Sequence, residues 1–253
     1  MAAVHDILEH LDALLGSERF DDYGPNGLQV PGHPEVDLVA TGVSAHRELF
    51  ERAASAGAGL VLVHHGLFWD REPRSLSHTL AARLRVLLER DMNLAAYHLP
   101  LDAHPELGNN ALIAAGLGCQ EREPFGRHRG MAIGVRARFP GDGLPAEELF
   151  ARVEALTGRR PLVFDHGPER VRSMGIVSGG GAGSLGEAVQ TGLDAFLTGE
   201  PAEPAMEEAR EAGIHFVAAG HYATETFGIR RLGDVVSERF DVAHRFIDVP
   251  NPV

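Results

Sequence analysis

The sequence predicts an α/β protein whose strands form largely parallel sheets with helices on both faces. Three observations lead there. Short apolar, β-rich runs alternate with helical stretches at the spacing of βαβ units. One run, Leu60-Val61-Leu62-Val63, is wholly apolar, as expected of a strand covered on both faces. Histidines and carboxylates then gather just past the predicted strand ends, where open sheets of this class place their sites. The 253 residues allow two lobes at roughly 100–200 residues per domain. Two successive α/β series point to a duplicated architecture, residues 1–120 and 121–253.

Met1 to Leu15 reads as an amphipathic helix, because His5, Asp6, Glu9, His10 and Asp12 interrupt its apolar residues as no signal peptide would. Asp22 to Gly32 is turn-rich, and the Asp21-Asp22 pair reads as solvated surface. Val36 to Val43 is a strand. Ser44 is positioned to cap a helix from Ala45 to Ala56, which Gly57 and Gly59 end. Leu60 to Val63 forms the next strand and runs into His64-His65-Gly66. Ser77 to Arg90 is a helix, Met92 to Tyr97 a strand ending at His98-Leu99-Pro100-Leu101-Asp102, and Asn109 to Leu117 a helix.

From Gln120 to Arg129 the chain is charged and loop-like, which places the lobe boundary there. Met131 to Phe139 is a strand, Pro145 to Leu156 a helix, and Val171 to Val177 a strand that leads into the glycine-rich run 178–184. A helix to Thr191, a strand from Asp194 to Thr198 and a helix from Ala202 to Ala212 follow. The apolar run Ile214 to Ala219 is a buried strand feeding Gly220-His221-Tyr222-Ala223-Thr224-Glu225 and a helix with Phe227, Ile229, Leu232, Val235 and Val236 on one face. Val242 to Asp248 is the last strand.

A net charge of −13 with no lysine argues against a broad nucleic-acid-binding face and against duplex DNA as a partner. No apolar run approaches the ~20 residues of a membrane span. The single cysteine, Cys119, has no internal disulfide partner and reads as core filler. That usage fits a reducing cytoplasm.

His221 and Glu225 stand four apart, on one face of a helix and one turn from each other. His98 and Asp102 repeat the interval, although Pro100 argues against a regular helix there. His64 and His65 are adjacent, and in a continuing strand they would point to opposite faces. Each pair alone also fits a plainer reading: a capping histidine, a turn, two hydrogen-bonded loop histidines. Together they make four imidazoles and two carboxylates, too many for one tetrahedral zinc and suited to two metals sharing a carboxylate. Without a thiolate the set accepts zinc, manganese, iron, cobalt or nickel.

Gly181-Ala182-Gly183-Ser184-Leu185-Gly186 matches GxGxxG, after a strand and before a helix. Glu200 and Glu203 only loosely meet the acidic position of a dinucleotide fold, so the run reads as a tight turn beside the site, offering backbone N–H groups to a phosphate. Ser178 and Ser184 lack a nucleophile elbow.

Several stretches together resemble one family: NGLQV from Asn26, VHHGLFW from Val63, HLPLDAHPELGNN from His98, LTGE from Leu197, GHYATE from Gly220 and FIDVPNP from Phe246. They are similar to the YbgI-like bacterial branch of the Nif-three-like proteins, often labelled GTP cyclohydrolase type 2 homologues. The resemblance runs from about Asn26 to the C-terminus, and Gly66 and His98 follow this branch. It implies two similar α/β lobes with a dinuclear metal site in the cleft between them, and a toroidal homohexamer. The implied ligands are His64, His65, His98, Asp102, His221 and Glu225, with Glu225 as the candidate bridging carboxylate.

The leading expectation is a metal-dependent hydrolase of a nucleotide or related heterocycle, GTP by the family label, using two divalent ions (zinc, manganese or iron) and a bridging hydroxide. Glu225, His104 and His215 are the candidate catalytic residues, the two histidines as proton shuttles. The alternatives are a non-enzymatic metal storage or delivery protein and a nucleotide-binding ring scaffold.

Overall fold

A computed structural model describes residues 1–73 and 75–253 of the chain. The strands of its two main sheets are β1 (Gly27–Val30), β2 (Leu38–Ser44), β3 (Leu60–His65), β4 (Asn93–Ala96), β5 (Glu121–His128), β6 (Met131–Arg138), β7 (Leu162–Phe164), β8 (Ser173–Val177), β9 (Ala195–Thr198), β10 (His215–Ala218) and β11 (Ala243–Phe246). The contacts divide the chain into two units. One comprises Met1–Leu101 with Gly228–Pro250, the other Asp102–Phe227 with Asn251–Val253.

The first unit meets the expectation of a largely parallel sheet. Its strand order is β11-β2-β3-β4-β1, and only β1 runs antiparallel to its neighbour. The central strands are buried along their length, as near-continuous apolar runs require. Leu49, Phe50 and Ala53 of helix Arg47–Ala56 and Leu87 of helix His78–Glu89 pack with Val61, Val63, Leu94 and Ala96 of the sheet. Ser77 caps the second of these helices, accepting from Leu80 N–H. The cap of the first is His46, whose ring accepts from Leu49 N–H, and not Ser44. Ser44 still belongs to β2, and its hydroxyl is used elsewhere.

In the second unit the parallel expectation is corrected to a mixed sheet. The order is β7-β10-β9-β8-β6-β5, with β8, β9 and β10 parallel and the other three pairings antiparallel. The segment expected as a charged loop from Gln120 to Arg129 is mostly strand β5. Arg129 (φ 46°) and Gly130 (φ 85°) make a two-residue turn of left-handed residues into β6, the geometry of a tight hairpin, which forces antiparallel pairing. Its charges mark an edge strand, where Glu121, Arg122, Glu123 and Pro124 lie exposed and discourage a further chain from pairing.

A division at 120/121 therefore differs from the grouping of contacts. Strand β11, last in sequence, adds parallel to β2 in the first unit. Helix Asn109–Leu117 buries Ile113, Ala114 and Leu117 against Val135, Met174 and Ile176 in the second. Among the described residues, no helix is long and apolar enough to cross a membrane.

Cys119 sits in that same core. Burial pushes its thiol up to about 12, against the nearby Arg122 and Arg152 cations that favour the thiolate. Native protein at pH 8 is expected to resist a thiol-specific maleimide that labels the guanidine-unfolded chain at once. Equal labelling rates in the two states would contradict a buried thiol.

Candidate metal centre

Parallel pairing brings the carboxyl ends of β3 and β4 side by side in the first unit, and with them three histidines. One ring nitrogen each of His64, His65 and His98 lies within 4.8 Å of the others. The ring centroids stand 4.9, 5.0 and 5.5 Å apart. His64 and His65 thus converge, where a continuing strand would have turned them to opposite faces. Their Nδ1 atoms are tied to opposite neighbours: His64 Nδ1 to the Tyr97 carbonyl, 2.9 Å, just past β4, and His65 Nδ1 to Ser44 Oγ, 3.0 Å, on β2. Each ring is held back by its own flank, and the two lean over the strand end.

His98 is oriented by Asp22. Its Nδ1 donates to Asp22 Oδ1 at 2.7 Å, and its backbone N–H donates to Asn26 Oδ1. The same carboxylate accepts from Tyr23 N–H, Leu99 N–H and the Asn26 amide. Burial would raise the Asp22 pKa, but these donors, His98 first among them, hold it down at about 2. The reading of Asp22 as solvated surface is thereby corrected: it is 8% exposed.

In the second unit, Asp102 closes a single helical turn, Leu99–Asp102. Pro100 is tolerated because a first turn leaves its N–H groups unused in any case. Asp102 Oδ1 accepts from Asn109 Nδ2 (2.8 Å) and Ser178 Oγ (3.2 Å), and Asn110 in turn accepts from Ser178 N–H. His221 opens the turn His221–Thr224 after β10, and its Nε2 lies 3.1 Å from Glu225 Oε2, so the four-residue spacing does bring the pair together. His221 Nδ1 is hydrogen-bonded to Glu200. Burial works against a charge on this ring, yet Glu225 and Glu200 outweigh it and raise its pKa to about 9.

The glycine run forms no phosphate loop of the dinucleotide kind. Gly181–Ser184 is a short 3-10 turn leading into a six-residue helix, Leu185–Gln190. Its working member is Gly179, at φ 61°. The Gly179 carbonyl accepts from Gly199 N–H, Glu200 N–H and Thr198 Oγ, and its N–H donates to Thr224 Oγ. A Cβ there would collide with Glu225 Oε1 and crowd His221 Nε2. Close approach of backbone to the carboxylate requires glycine.

Both expected proton shuttles have structural hydrogen bonds of their own. His104 Nδ1 accepts from Glu106 and Leu107 N–H, capping its own loop. His215 begins β10, at the end of that strand opposite to His221. Its ring is 1% exposed, with Nε2 donating to the Pro168 carbonyl and Nδ1 lying 2.9 Å from Asp165 Oδ1 and 3.2 Å from Gly167 N. Both nitrogens are committed to structure.

Sequence reasoning gives Asp22 and Glu200 no part in the metal centre. Glu200 follows the end of β9, so the strand-end rule that selects the histidines would have found it. Asp22 carries no such signal, because its partner lies 76 residues away.

The donor set fits divalent metal. A carbonyl or carboxylate on Nδ1 can only accept, so His64, His98 and His221 each carry a proton on Nδ1, which makes Nε2 the ring atom that a metal would take. This is the arrangement metal-ligating histidines show. Nitrogen and carboxylate oxygen together suit borderline ions such as zinc, manganese and iron.

Fold and site thus define a mixed α/β protein with a histidine- and carboxylate-rich candidate metal centre. A family model described as Duf34/NIF3 (NGG1p interacting factor 3) matches residues 2–252, and the chain belongs to that family. A Pseudomonas aeruginosa protein called GTP cyclohydrolase 1 type 2 homolog is 43% identical over 251 residues, 99% of this chain and 98% of its own. The Escherichia coli K12 protein of the same name is 45% identical over 242 residues, 94% of each chain. Among solved structures, the protein ybgI matches with a TM-score of 0.93 at 41% identity, covering 99% of this chain and 100% of its own. TTHA1606 from Thermus thermophilus matches with a TM-score of 0.91 at 36% identity, with the same coverage.

Asp22→Asn keeps the shape of the side chain and removes the charge that fixes the His98 tautomer. It is expected to lower zinc affinity about 10–100-fold, the usual cost of losing such an outer partner. Competition against a chromophoric chelator reads the affinity, and a wild-type value in the variant would detach Asp22 from the metal centre.

Proposed function

We propose that this chain is a metal-dependent hydrolase of a nucleotide or related heterocycle, with two divalent ions held by His64, His65, His98, Asp102, His221 and Glu225. The observation that carries the reading is the treatment of the imidazoles. All four have Nδ1 engaged by an outer partner: Tyr97, Ser44, Asp22 and Glu200 in turn. His33 and His244 also have Nδ1 bonded, and what sets the cluster apart is convergence: one ring nitrogen each of His64, His65 and His98 lies within 4.8 Å of the others. Two ions held there would supply Lewis acidity and lower the pKa of water toward neutrality.

The chain's own groups set the conditions for that chemistry. Glu225 is the candidate carboxylate shared by both ions, since Gly179 leaves it room and burial leaves it little water. His221 holds a proton between Glu200 and Glu225, and that proton must leave as metal arrives, so loading releases acid. Asp102, braced by Asn109 and Ser178, presents an oxygen whose orientation is already determined. The toroidal homohexamer implied by the family resemblance belongs to the same proposal.

The name shared by the relatives, GTP cyclohydrolase 1 type 2 homolog, supplies the first substrate to try. Protein loaded with zinc, manganese or iron is expected to open the purine ring of GTP and release formate, and Glu225→Ala to lose at least ~100-fold in kcat, on the order of one lost charge-stabilising group. Metal content per chain is measured on the same samples. No turnover by protein that holds two ions per chain would remove the GTP assignment and leave storage or delivery of metal as the better reading.

A further inference from the structure

Two aromatic side chains lie against the histidine cluster of the first unit. The Trp69 ring meets the His98 ring edge-on at 5.4 Å (85°) and the His65 ring at 6.0 Å. The Tyr23 ring is 5.9 Å from His98, and Tyr23 is 42% exposed. Trp69 is half-buried. A partly exposed aromatic ring gains free energy when a flat ligand buries it further.

The loops that carry the two rings are tied together before any ligand arrives. Tyr23 C=O accepts from Asp70 N–H at 2.8 Å. Gln29 bridges the loops with its amide, accepting from Leu67 N–H and donating to the Pro25 carbonyl. Gly24 fits against the Phe68 carbonyl, where a Cβ would collide. Tyr23 also follows Asp22, the residue that grips His98. Backbone and amide contacts thus hold the two loops together, and loops already joined cost little further ordering on binding.

We propose that Trp69 and Tyr23 form a stacking platform for the purine ring of the substrate, so that the heterocycle and not the phosphate chain faces His65 and His98. The inference rests on the hydrolase reading above for the word substrate, and extends it by assigning the reacting end. Every nucleobase presents a π-face to an aromatic side chain, and each such stack contributes enough that its removal is readily measured. A phosphate has no comparable affinity for indole or phenol rings. The placement agrees with chemistry on a ring carbon, which needs the base beside the ions.

Trp69 is the only tryptophan in the chain, so its fluorescence reports on this surface alone. Zinc-loaded protein is titrated with guanosine, with GTP and with inorganic triphosphate, excited at the red edge of indole absorption. Guanosine and GTP are expected to quench Trp69, and triphosphate to leave it unchanged. Tyr23→Ala should weaken guanosine binding about tenfold, with Tyr23→Phe restoring most of it. The Tyr23 loop ties are backbone contacts, so the alanine variant keeps them. Trp69→Ala and Trp69→Phe, read by calorimetry, should show the same contrast. Absence of quenching by guanosine, quenching by triphosphate to the same extent, or equal affinity in Tyr23→Ala would each overturn the platform. The two readings separate cleanly. Guanosine quenching without GTP turnover removes the GTP assignment and keeps the platform as a purine-binding surface, and turnover with unchanged KM in Tyr23→Ala and Trp69→Ala does the reverse.

Discussion

A buried negative charge is the constraint on which the first unit's site depends. Asp22 has lost nearly all contact with water, and an ionised carboxylate in that position is tolerated only when hydrogen-bond donors replace the solvent. Four do so: the His98 ring, the Tyr23 and Leu99 backbone N–H groups, and the Asn26 amide. Meeting that demand determines the path of the 22–26 turn, the direction in which the chain leaves β4, and the tautomer of His98. The histidine cluster is a consequence. Parallel pairing of β3 with its two neighbours does the rest, because Ser44 and Tyr97 are where the flanking strands end.

The second unit reaches a similar result by different means. Asp102, Asn109, Asn110 and Ser178 are all buried, and each polar atom with a described bond is satisfied by another member or by backbone. Such a network orders a site at the cost of tolerance to change, since removal of any one member leaves a partner buried without its bond. Gly179 adds a steric requirement. Three donors converge on its carbonyl, its N–H is used by Thr224, and its missing side chain is the space Glu225 occupies. A conformation with φ of 61° and no room for a Cβ leaves glycine as the only fit.

Much of this is legible in the chain itself, and the failures have physical causes. Strand-end histidines are readable because a wholly apolar run such as Leu60–Val63 admits little but a buried strand, and a polar residue after it must be where burial stops. Pro100 misleads because the rule against proline concerns helix interiors, and Leu99–Asp102 is a single turn. The 120–129 stretch misleads because charge marks both loops and edge strands, and only pairing with β6 tells them apart. His215 is close to a ligand motif in sequence, a poor guide to nearness in space. His215 stands at the other end of the strand that leads to His221.

Local pattern by itself determined the parallel α/β character of the first unit, the strand ends, the pairing of His221 with Glu225 and the role of Cys119 as core. Those follow from hydrophobic periodicity and residue spacing, which act over a few residues. The tertiary structure alone decided which strands are antiparallel in the second unit, the return of β11 to the first sheet, and the partners of each imidazole. Asp22 with His98, and Glu200 with His221, are carboxylate–imidazole contacts between residues 76 and 21 positions apart. No local rule reaches so far, because the bond exists only once the sheet has brought the strand ends together.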